Sequence, residues 1–261
     1  MTLLKLDDES LKKPELSNHT YLVTGAANGI GQALAVALAD CNASVILLDK
    51  DDQQLNHVYD SIMETNRSEA VIVHQDLTLL TQNHCDLLAT QIKESFGKLD
   101  GIIHCAAETG HLSPIAHYSE DDWSSVIRAN LHSPYLLTRT LFPLITRKKP
   151  GTVIFSSAQQ AQKSSAYWGA FAVAQQGLKG LVETWSEEIE NTNIQMFMLD
   201  PGKVNTEFLI RLFPGLNPNH FPDSNSIAQK YLQLLVQSKR DRTLQGKFIQ
   251  LDGLLSINIV P

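Results

Sequence analysis

Short apolar segments alternate with longer amphipathic segments along most of this 261-residue chain. The short segments are rich in Val, Ile and Leu, and seven of them are predicted to be strands: 20–24, 44–48, 70–74, 101–104, 152–156, 194–199 and 246–251. Between them, apolar residues recur three and four positions apart, which predicts helices at about 29–40, 51–65, 81–96, 121–147, 166–191 and 226–237. Such alternation favours a three-layer α/β fold, in which helices cover both faces of a doubly wound parallel sheet of about seven strands.

The domain organisation follows from the same pattern, since no linker, low-complexity tract or repeat interrupts it. We therefore expect an N-terminal arm at 1–17 and one domain at 18–261. Within it, the segment 203–223 (KVNTEFLIRLFPGLNPNHFPD) carries three Pro and several Leu and Phe residues between a strand and a helix. This segment is a candidate substrate loop, and two interpretations remain open: a mobile lid, or a loop packed permanently on the core.

Composition excludes several classes of protein. With 21 Lys and Arg against 28 Asp and Glu, the net charge is 21 − 28 = −7, which disfavours nucleic-acid binding. Cys41, Cys85 and Cys105 match neither a C-x-x-C pair nor a zinc knuckle, so we expect reduced thiols and no disulfide. No stretch resembles a signal peptide or reaches the roughly 18 apolar residues of a membrane span, so we expect a cytoplasmic protein without a membrane partner.

A glycine-rich turn directly follows the first strand and leads into the first helix: Thr24-Gly25-Ala26-Ala27-Asn28-Gly29-Ile30-Gly31. Gly25 permits a tight turn, Gly29 lets a pyrophosphate approach the backbone, and Gly31 lets the helix pack closely on the sheet. The helix N-terminus adds unpaired N–H groups and the positive end of its dipole. The spacing differs from G-x-G-x-x-G, but its placement predicts a Rossmann-type dinucleotide site.

Carboxylates follow the next two strands. Asp49 ends the second strand, where it would accept hydrogen bonds from the adenosine ribose and repel a 2′-phosphate, which predicts NAD over NADP. Lys50 follows immediately and weakens that preference, and Asp49 could instead serve as a helix N-cap or a solvated turn residue. Asp76, followed by Leu77, could hold the adenine amino group or be an ordinary carboxylate at a strand end.

Together these segments resemble the short-chain dehydrogenase/reductase family, in its single-domain branch, from about residue 18 to residue 252. The resemblance places Asn130, in Arg-Ala-Asn-Leu, at the family's helix-borne active-site Asn. It also implies that Pro201, Gly202 and Thr206 hold the nicotinamide. The cofactor implied is a nicotinamide dinucleotide.

Two further segments bear on this resemblance. The run Trp168-Gly169-Ala170 is most similar to the YciK-like bacterial oxidoreductases. The family's Asn-Ala-Gly turn after the fourth strand is replaced here by Cys105-Ala106-Ala107, and the Cβ of Ala107 would crowd the cofactor ribose.

The reacting residues of the family are replaced. Its members protonate the developing alkoxide from a Tyr, which a Lys four residues later makes more acidic, while a Ser holds the substrate oxygen. The matching positions here are Phe171, Gln175 and Ala158. A phenyl ring has no ionisable proton, and a neutral amide cannot lower the pKa of a neighbour. Ser157 would substitute for the missing Ser only if the strand end were bulged.

Tyr167 and Lys179 could supply the missing phenol and ammonium groups from positions displaced along the helix. Tyr167 lies four residues before Phe171, on the same face of the predicted helix, and Lys179 lies one turn past Gln175. Each is about one turn, roughly 6 Å, away from the reacting centre. We therefore expect Tyr167 to be a partly buried packing residue and Lys179 a solvated cation.

The nine histidines give no sign of a metal site. His104, His111 and His117 fall near the expected cleft, but none belongs to an H-E-x-x-H motif or a paired spacing. We predict no bound metal, and His111 remains a residue that could lie near a substrate.

Three functional hypotheses follow. In the first, the chain is a catalytically degenerate family member that binds NAD and acts as a sensor, or as the inactive partner of an active family member. In the second, it is an active NAD(P)-dependent oxidoreductase with a non-standard proton donor, or one whose small-molecule substrate needs no Tyr, such as an activated C=C or C=N bond. In the third, it is an interaction or structural protein with an empty cofactor pocket.

Self-association is the remaining expectation. The helices at 121–147 and 166–191 are those through which members of the family pair as dimers or tetramers, so we expect a homo-oligomer. The apolar segment 254–260 would complete such an interface or pack on its own subunit.

Overall fold

The computed structural model describes residues 2–4, 13–65, 68–145, 150–158, 164–240, 242–252 and 256–260. Its strands form one sheet in the order β1-β9-β8-β7-β6-β5-β2-β3-β4. They are β1 Thr2–Leu4, β2 Thr20–Thr24, β3 Ser44–Asp49, β4 Ala70–His74, β5 Gly101–His104, β6 Gly151–Ser156, β7 Ile194–Asp200, β8 Phe248–Asp252 and β9 Ser256–Val260. Strands β2 to β8 are parallel, which confirms the predicted seven-stranded α/β fold.

Helices cover both faces of this sheet. They are α1 Gly29–Asp40, α2 Asp52–Thr65, α3 Gln82–Ser95, α4 Glu120–Ile127, α5 Ser133–Leu141, α6 Gly169–Glu188, α7 Glu207–Leu212 and α8 Ser224–Ser238. Neighbouring residues of β2 belong to different cores: Val23 packs with α1, α2 and α8, whereas Leu22 packs with α3, α5 and α6. The central strands are buried on both faces, which is why they read as continuous apolar runs in the sequence.

The predicted helix at 121–147 is wrong as a single helix. The chain forms α4, a π-helical turn at Arg128–His132, α5 and a 3-10 turn at Phe142–Leu144, while Arg147 lies outside the described residues. Pro134 has no N–H to continue the helical ladder, and the side chain of Asn130 donates to the Val126 carbonyl at 2.7 Å. The apolar periodicity alone did not reveal this interruption, although Pro134 was visible in the sequence as a helix breaker.

Two other predicted boundaries shift because of residues with positive φ. The helix predicted at 166–191 begins at Gly169, since Tyr167 has φ +73° and cannot continue a right-handed helix. The strand predicted at 246–251 begins at Phe248, after Gly246 with φ +66°. Both shifts leave the order of the elements unchanged.

The chain ends add two strands that the sequence analysis did not predict. β9, within the apolar segment 254–260, pairs antiparallel with β8, and β1 of the N-terminal arm pairs antiparallel with β9. Leu254 and Leu255 lie outside the described residues. Leu16, near the end of the arm, is buried in the core. Among the described helices, none combines the length and apolar character needed to cross a membrane.

The topology fixes where a ligand site can form. From β2 the chain moves outward through β3 to β4, and it then returns to β5 on the other side of β2. The loops after β2 and β5 therefore leave the sheet in opposite directions and open a crevice at the carboxyl ends of the strands.

Candidate dinucleotide-binding site

A cleft of about 900 Å³ lies at this end of the sheet, lined by residues that follow β2, β3, β4, β5, β6 and β7. It brings together every residue that the sequence predicts to bind a cofactor: Gly25, Asn28, Gly29, Ile30, Gly31, Asp49, Asp76, Leu77, Ala106, Pro201, Gly202 and Thr206. Their contact with a dinucleotide remains a prediction.

The glycine turn at 25–31, here called the glycine cradle, leaves no room for side chains at Gly25 and Gly31. A Cβ on Gly25 would lie 2.7 Å from the backbone nitrogen of Ala106, and one on Gly31 would overlap the carbonyl oxygen of Gly25. A Cβ on Gly29 would lie 3.3 Å from the Cγ2 of Thr206, so the side chain of Thr206 packs closely against this part of the turn. Gly29 and Thr206 both line the cleft, and the N–H groups at the N-terminus of α1 are of the kind that bind a pyrophosphate.

Asp49 supports the cradle through backbone hydrogen bonds. Its Oδ2 accepts the N–H of Ala27 at 3.1 Å, and its Oδ1 accepts the N–H groups of Lys50 and Asp51 at 2.7 and 3.1 Å. Asp49 thus stabilises the turn, as the alternative interpretation proposed, and it also lines the cleft. A carboxylate has about four acceptor positions, so capacity for a ribose hydroxyl remains.

Lys50 faces an acidic side chain across the cleft. Its Nζ lies 3.5 Å from the Oε2 of Glu108, which follows β5. Both residues line the cleft beside Asp49. The positive charge beside Asp49 is therefore paired with a negative one.

Asp76 caps a local turn. Its Oδ1 accepts hydrogen bonds from the backbone N–H and the hydroxyl of Thr78, both at 2.8 Å, and it thereby begins the 3-10 turn Leu77–Leu79. Asp76 and Leu77 both line the cleft, so the cap leaves the carboxylate beside the adenine end of the expected site.

Asn130 lies on a helical segment, as the resemblance implied, and its role at an active site stays a prediction. It is buried in the π-helical turn and is not among the residues that line the cleft. Its Nδ2 donates to the carbonyl of Glu108 at 2.6 Å, and its Oδ1 accepts the Glu108 N–H at 3.1 Å. Asn130 is therefore a positioning residue, which acts on the cleft through the segment after β5.

The substituted positions meet at one end of the cleft. Phe171, Gln175 and Ala158 all line it. Phe171 is 1% exposed and packs with Trp168 and Phe208, while Gln175 is 3% exposed. None of the three side chains carries a proton that ionises, so these positions cannot supply an acid or a cation.

The two serines before Ala158 have different surroundings. Ser156 ends β6, and its hydroxyl lies 2.9 Å from the Tyr231 hydroxyl and donates to the Cys105 Sγ at 3.4 Å. Ser157 lines the cleft without a bulge in β6, because it follows the last paired residue of the strand. Burial raises the pKa of Cys105 to about 12, so its thiol stays protonated.

The displaced Tyr and Lys do not restore the lost groups. The prediction that Tyr167 is partly buried on the same helix face is wrong: it is 61% exposed and precedes the start of α6. Lys179 pairs with Glu183 on α6 at 3.7 Å. Neither residue lines the cleft.

The histidines also lie apart from the cleft. His104 is buried, stacks on Phe155 at 4.8 Å and places its Nε2 2.8 Å from the Thr138 hydroxyl. The exposed ring of His111 lies 3.6 Å from the Asp122 carboxylate. In the described part of the chain, no three His, Cys, Asp or Glu side chains gather as metal ligands would.

The sequence analysis missed a group of side chains from the loop 203–223. Lys203, Phe208, Arg211 and Phe213 all line the cleft, together with Trp168. Phe208 and Arg211 belong to the short helix α7, and Phe213 directly follows it. The sequence did contain a signal for this group: Lys203 and Arg211 are eight positions apart in a segment that also carries Phe residues.

A glycine cradle at the switch point of a parallel sheet, followed by carboxylates after the next two strands, defines an α/β protein of the dinucleotide-binding class. The family model for short chain dehydrogenases matches residues 19–216, which is most of the chain. The chain belongs to the short-chain dehydrogenase family.

Known relatives agree with this assignment. The Escherichia coli K12 protein "Uncharacterized oxidoreductase YciK" is 28% identical over 232 residues, which cover 89% of this chain and 92% of that protein. A short-chain dehydrogenase from Pseudomonas syringae has a TM-score of 0.87 at 29% identity, over 95% of this chain and 99% of that one. One from Shigella flexneri 2a, complexed with NADP, has a TM-score of 0.84 at 28% identity, over 92% and 99%. The predicted resemblance to the YciK-like oxidoreductases is confirmed.

Proposed function

We propose that this protein binds a nicotinamide dinucleotide, with NAD(H) favoured, and does not reduce carbonyl groups by the Tyr/Lys/Ser route of its family. The burial of Phe171 carries the proposal. At 1% exposure and packed against Trp168 and Phe208, the ring occupies the end of the cleft where a phenol would have to act. Loss of a general acid alone costs on the order of 10²- to 10⁴-fold in rate.

The dinucleotide side of the cleft fits the cofactor. Gly25 and Gly31 allow a turn so tight that a Cβ at either position would clash with backbone atoms, and Gly29 lines the cleft beside Thr206. The N–H groups at the start of α1 would hold the pyrophosphate, and the Pro201-Gly202 turn would lie against the nicotinamide. When bound, nicotinamide supplies or accepts a hydride at C4, and the amide of Gln175 can hydrogen-bond a ribose but cannot acidify a neighbour.

The preference for NAD rests on Asp49. Its carboxylate lines the cleft at the end of β3, where a negative charge repels a 2′-phosphate, and Glu108 pairs with the adjacent Lys50. The NADP complex of the Shigella flexneri relative counts against this preference. Both dinucleotides therefore belong in the first experiment.

The first experiment is a thermal melt with NAD, NADH, NADP and NADPH. A ligand that binds only the folded state raises the apparent stability by RT ln(1 + [L]/Kd), so a higher Tm reports an intact pocket. We expect NAD or NADH to give the largest rise. No shift with any of the four at millimolar concentration would contradict the proposal and favour an interaction protein with an empty pocket.

The second experiment restores the family's residues in the variant Ala158→Ser/Phe171→Tyr/Gln175→Lys. With dinucleotide bound, the wild type should turn over none of a panel of aldehydes, ketones and activated C=C and C=N compounds, while the variant should gain carbonyl reduction. Ser157 favours a second candidate, because its hydroxyl lines the cleft beside Ala158. Wild-type turnover that the three substitutions do not improve would establish an oxidoreductase with a non-standard proton donor.

A further inference from the structure

The end of the cleft beyond the dinucleotide residues is an aromatic wall, formed by Trp168, Phe171, Phe208 and Phe213. Trp168 lies 5.9 Å from Phe171 and 6.1 Å from Phe213 between ring centroids, and Phe171 lies 6.5 Å from Phe208. Trp168 and Phe171 belong to a small buried core, against which Phe208 and Phe213 pack. All four rings line the cleft; Phe208 and Phe213 are half-buried and present most of the accessible apolar surface, while the buried Trp168 and Phe171 pack behind them.

A cation lies at each end of the aromatic wall. The Nζ of Lys203 is 5.4 Å from the ring centroid of Phe213 and 5.6 Å from that of Phe221. The Cζ of Arg211 is 5.8 Å from the ring centroid of Phe208. Cation–π attraction holds both charged groups against the wall. Lys203 and Arg211 both line the cleft.

These two cations differ from Lys50 in lacking a counter-ion. Lys50 is paired with Glu108 at the adenosine end. Within the described residues, neither Lys203 nor Arg211 has a carboxylate within 4.0 Å. Glu207 also lines the cleft but forms no ion pair with either of them. The aromatic end of the cleft therefore offers positive charge to an anion.

We propose that the aromatic wall binds a small carboxylic acid with an aromatic or aliphatic body, whose carboxylate is bound by Arg211 at one end of the wall while Lys203 adds positive charge at the other. The planar fork of Arg211 matches a carboxylate, and the wall supplies the apolar surface that ligand pockets use for affinity. This proposal rests on the proposed function, since it names the ligand class that shares the cleft with the dinucleotide.

The dinucleotide's own phosphates are a competing anion for the two cations. The pyrophosphate would lie at the N-terminus of α1, which begins at Gly29. Lys203 instead turns towards Phe213 and Phe221, and Arg211 turns towards Phe208. Because both side chains lie over aromatic rings, they are better placed to bind the carboxylic acid than the phosphates of the dinucleotide.

The test compares acids with their neutral amides. 3-Phenylpropionate, indole-3-propionate and octanoate, and the amide of each, are titrated by calorimetry into the full chain with and without saturating NADH. We expect at least one acid to bind about tenfold or more tightly than its amide, a difference of about 1.4 kcal/mol.

Matched variants assign the effect to the two cations. Lys203→Met/Arg211→Met should lower the affinity for the acid to that for the amide, with the NADH affinity unchanged within about twofold. Lys93→Met/Lys179→Met removes the same charge outside the cleft and should bind the acid as the wild type does. Circular dichroism and the Tm check that both variants fold.

Several outcomes would overturn the proposal. They are equal binding of acid and amide, no binding of any acid at millimolar concentration, and unchanged acid binding in Lys203→Met/Arg211→Met. A parallel loss of NADH affinity in that variant would instead assign the cations to the cofactor. The titrations are also run without NADH, so the two proposals can fail separately. Absence of dinucleotide binding would contradict the proposed function, and the comparison of acid with amide would still test the acid site.

Discussion

The side chain of Asn130 and the backbone of Glu108 form a reciprocal pair of hydrogen bonds. Nδ2 donates to the Glu108 carbonyl at 2.6 Å, and Oδ1 accepts the Glu108 N–H at 3.1 Å. A third bond joins Nδ2 to the Val126 carbonyl at 2.7 Å. One buried amide thus fixes the π-helical turn to the segment after β5 that lines the cleft.

The substitution Asn130→Asp tests this role. It would place a carboxylate oxygen against the carbonyls of Glu108 and Val126, so the free energy of unfolding at pH 7 should fall by about 2–4 kcal/mol. Urea unfolding measures the loss. Asn56→Asp makes the same change on the exposed surface of α2 and should cost less than about 0.5 kcal/mol. Equal losses in the two variants would contradict a special role for Asn130.

The glycine cradle gives a second prediction. Gly31→Ala would drive a methyl group into the carbonyl of Gly25, so the backbone of the turn must move. We expect the affinity for the preferred dinucleotide to fall about tenfold or more, measured by calorimetry.

Gly180→Ala is the matched control for this variant. Gly180 lies in α6, and a Cβ there would meet no atom within 4 Å. Because Ala has the higher helix propensity, this variant should gain about 0.5–1 kcal/mol of stability and keep its dinucleotide affinity. A loss of affinity in both variants would show that the cradle is not the cause.

The fold was predictable because its signals are local. The apolar runs of β2, β3 and β5 and the glycines after β2 each carry their own periodicity or turn chemistry. Where the prediction failed, a distant contact or a single backbone angle decided the outcome. The helix at 121–147 breaks where Asn130 bonds to Glu108, and α6 starts late because Tyr167 has positive φ.

The candidate site also has a part that the sequence predicted and a part that it did not. The residues around Gly25 and Asp49 follow strand ends, and parallel strands bring their carboxyl ends to one edge, so their meeting could be predicted. Lys203 follows the end of β7 and its turn, whereas Arg211 belongs to α7, whose Phe208 packs on Phe171. Nothing in local periodicity specifies that packing, and their role was missed for this reason.

Asp49 supports a third prediction, on the choice of cofactor. Asp49→Asn removes the negative charge and keeps the size of the side chain, so the ratio of NADP to NAD affinity should rise by about tenfold. Calorimetric titration with both dinucleotides measures the ratio. Asp51→Asn alters a carboxylate that bonds to the N–H of Gln54 outside the cleft, and it should leave the ratio unchanged. An unchanged ratio in Asp49→Asn would show that Asp49 stabilises the turn but does not select the cofactor.

His104 makes folding stability depend on pH. Burial lowers the pKa of its ring from 6.5 to about 3, so the folded protein keeps it neutral while the unfolded chain binds a proton below about pH 6.5. Since the unfolded state then holds more protons, this group should reduce the free energy of unfolding by about 1.4 kcal/mol per pH unit as pH falls from about 6 towards 3. His104→Gln, which cannot take up a proton, should show a shallower loss in urea unfolding between pH 7 and pH 5. The exposed His111 supplies the control His111→Gln, which should follow the wild-type slope. Parallel slopes for His104→Gln and the wild type would mean that other groups control the acid stability.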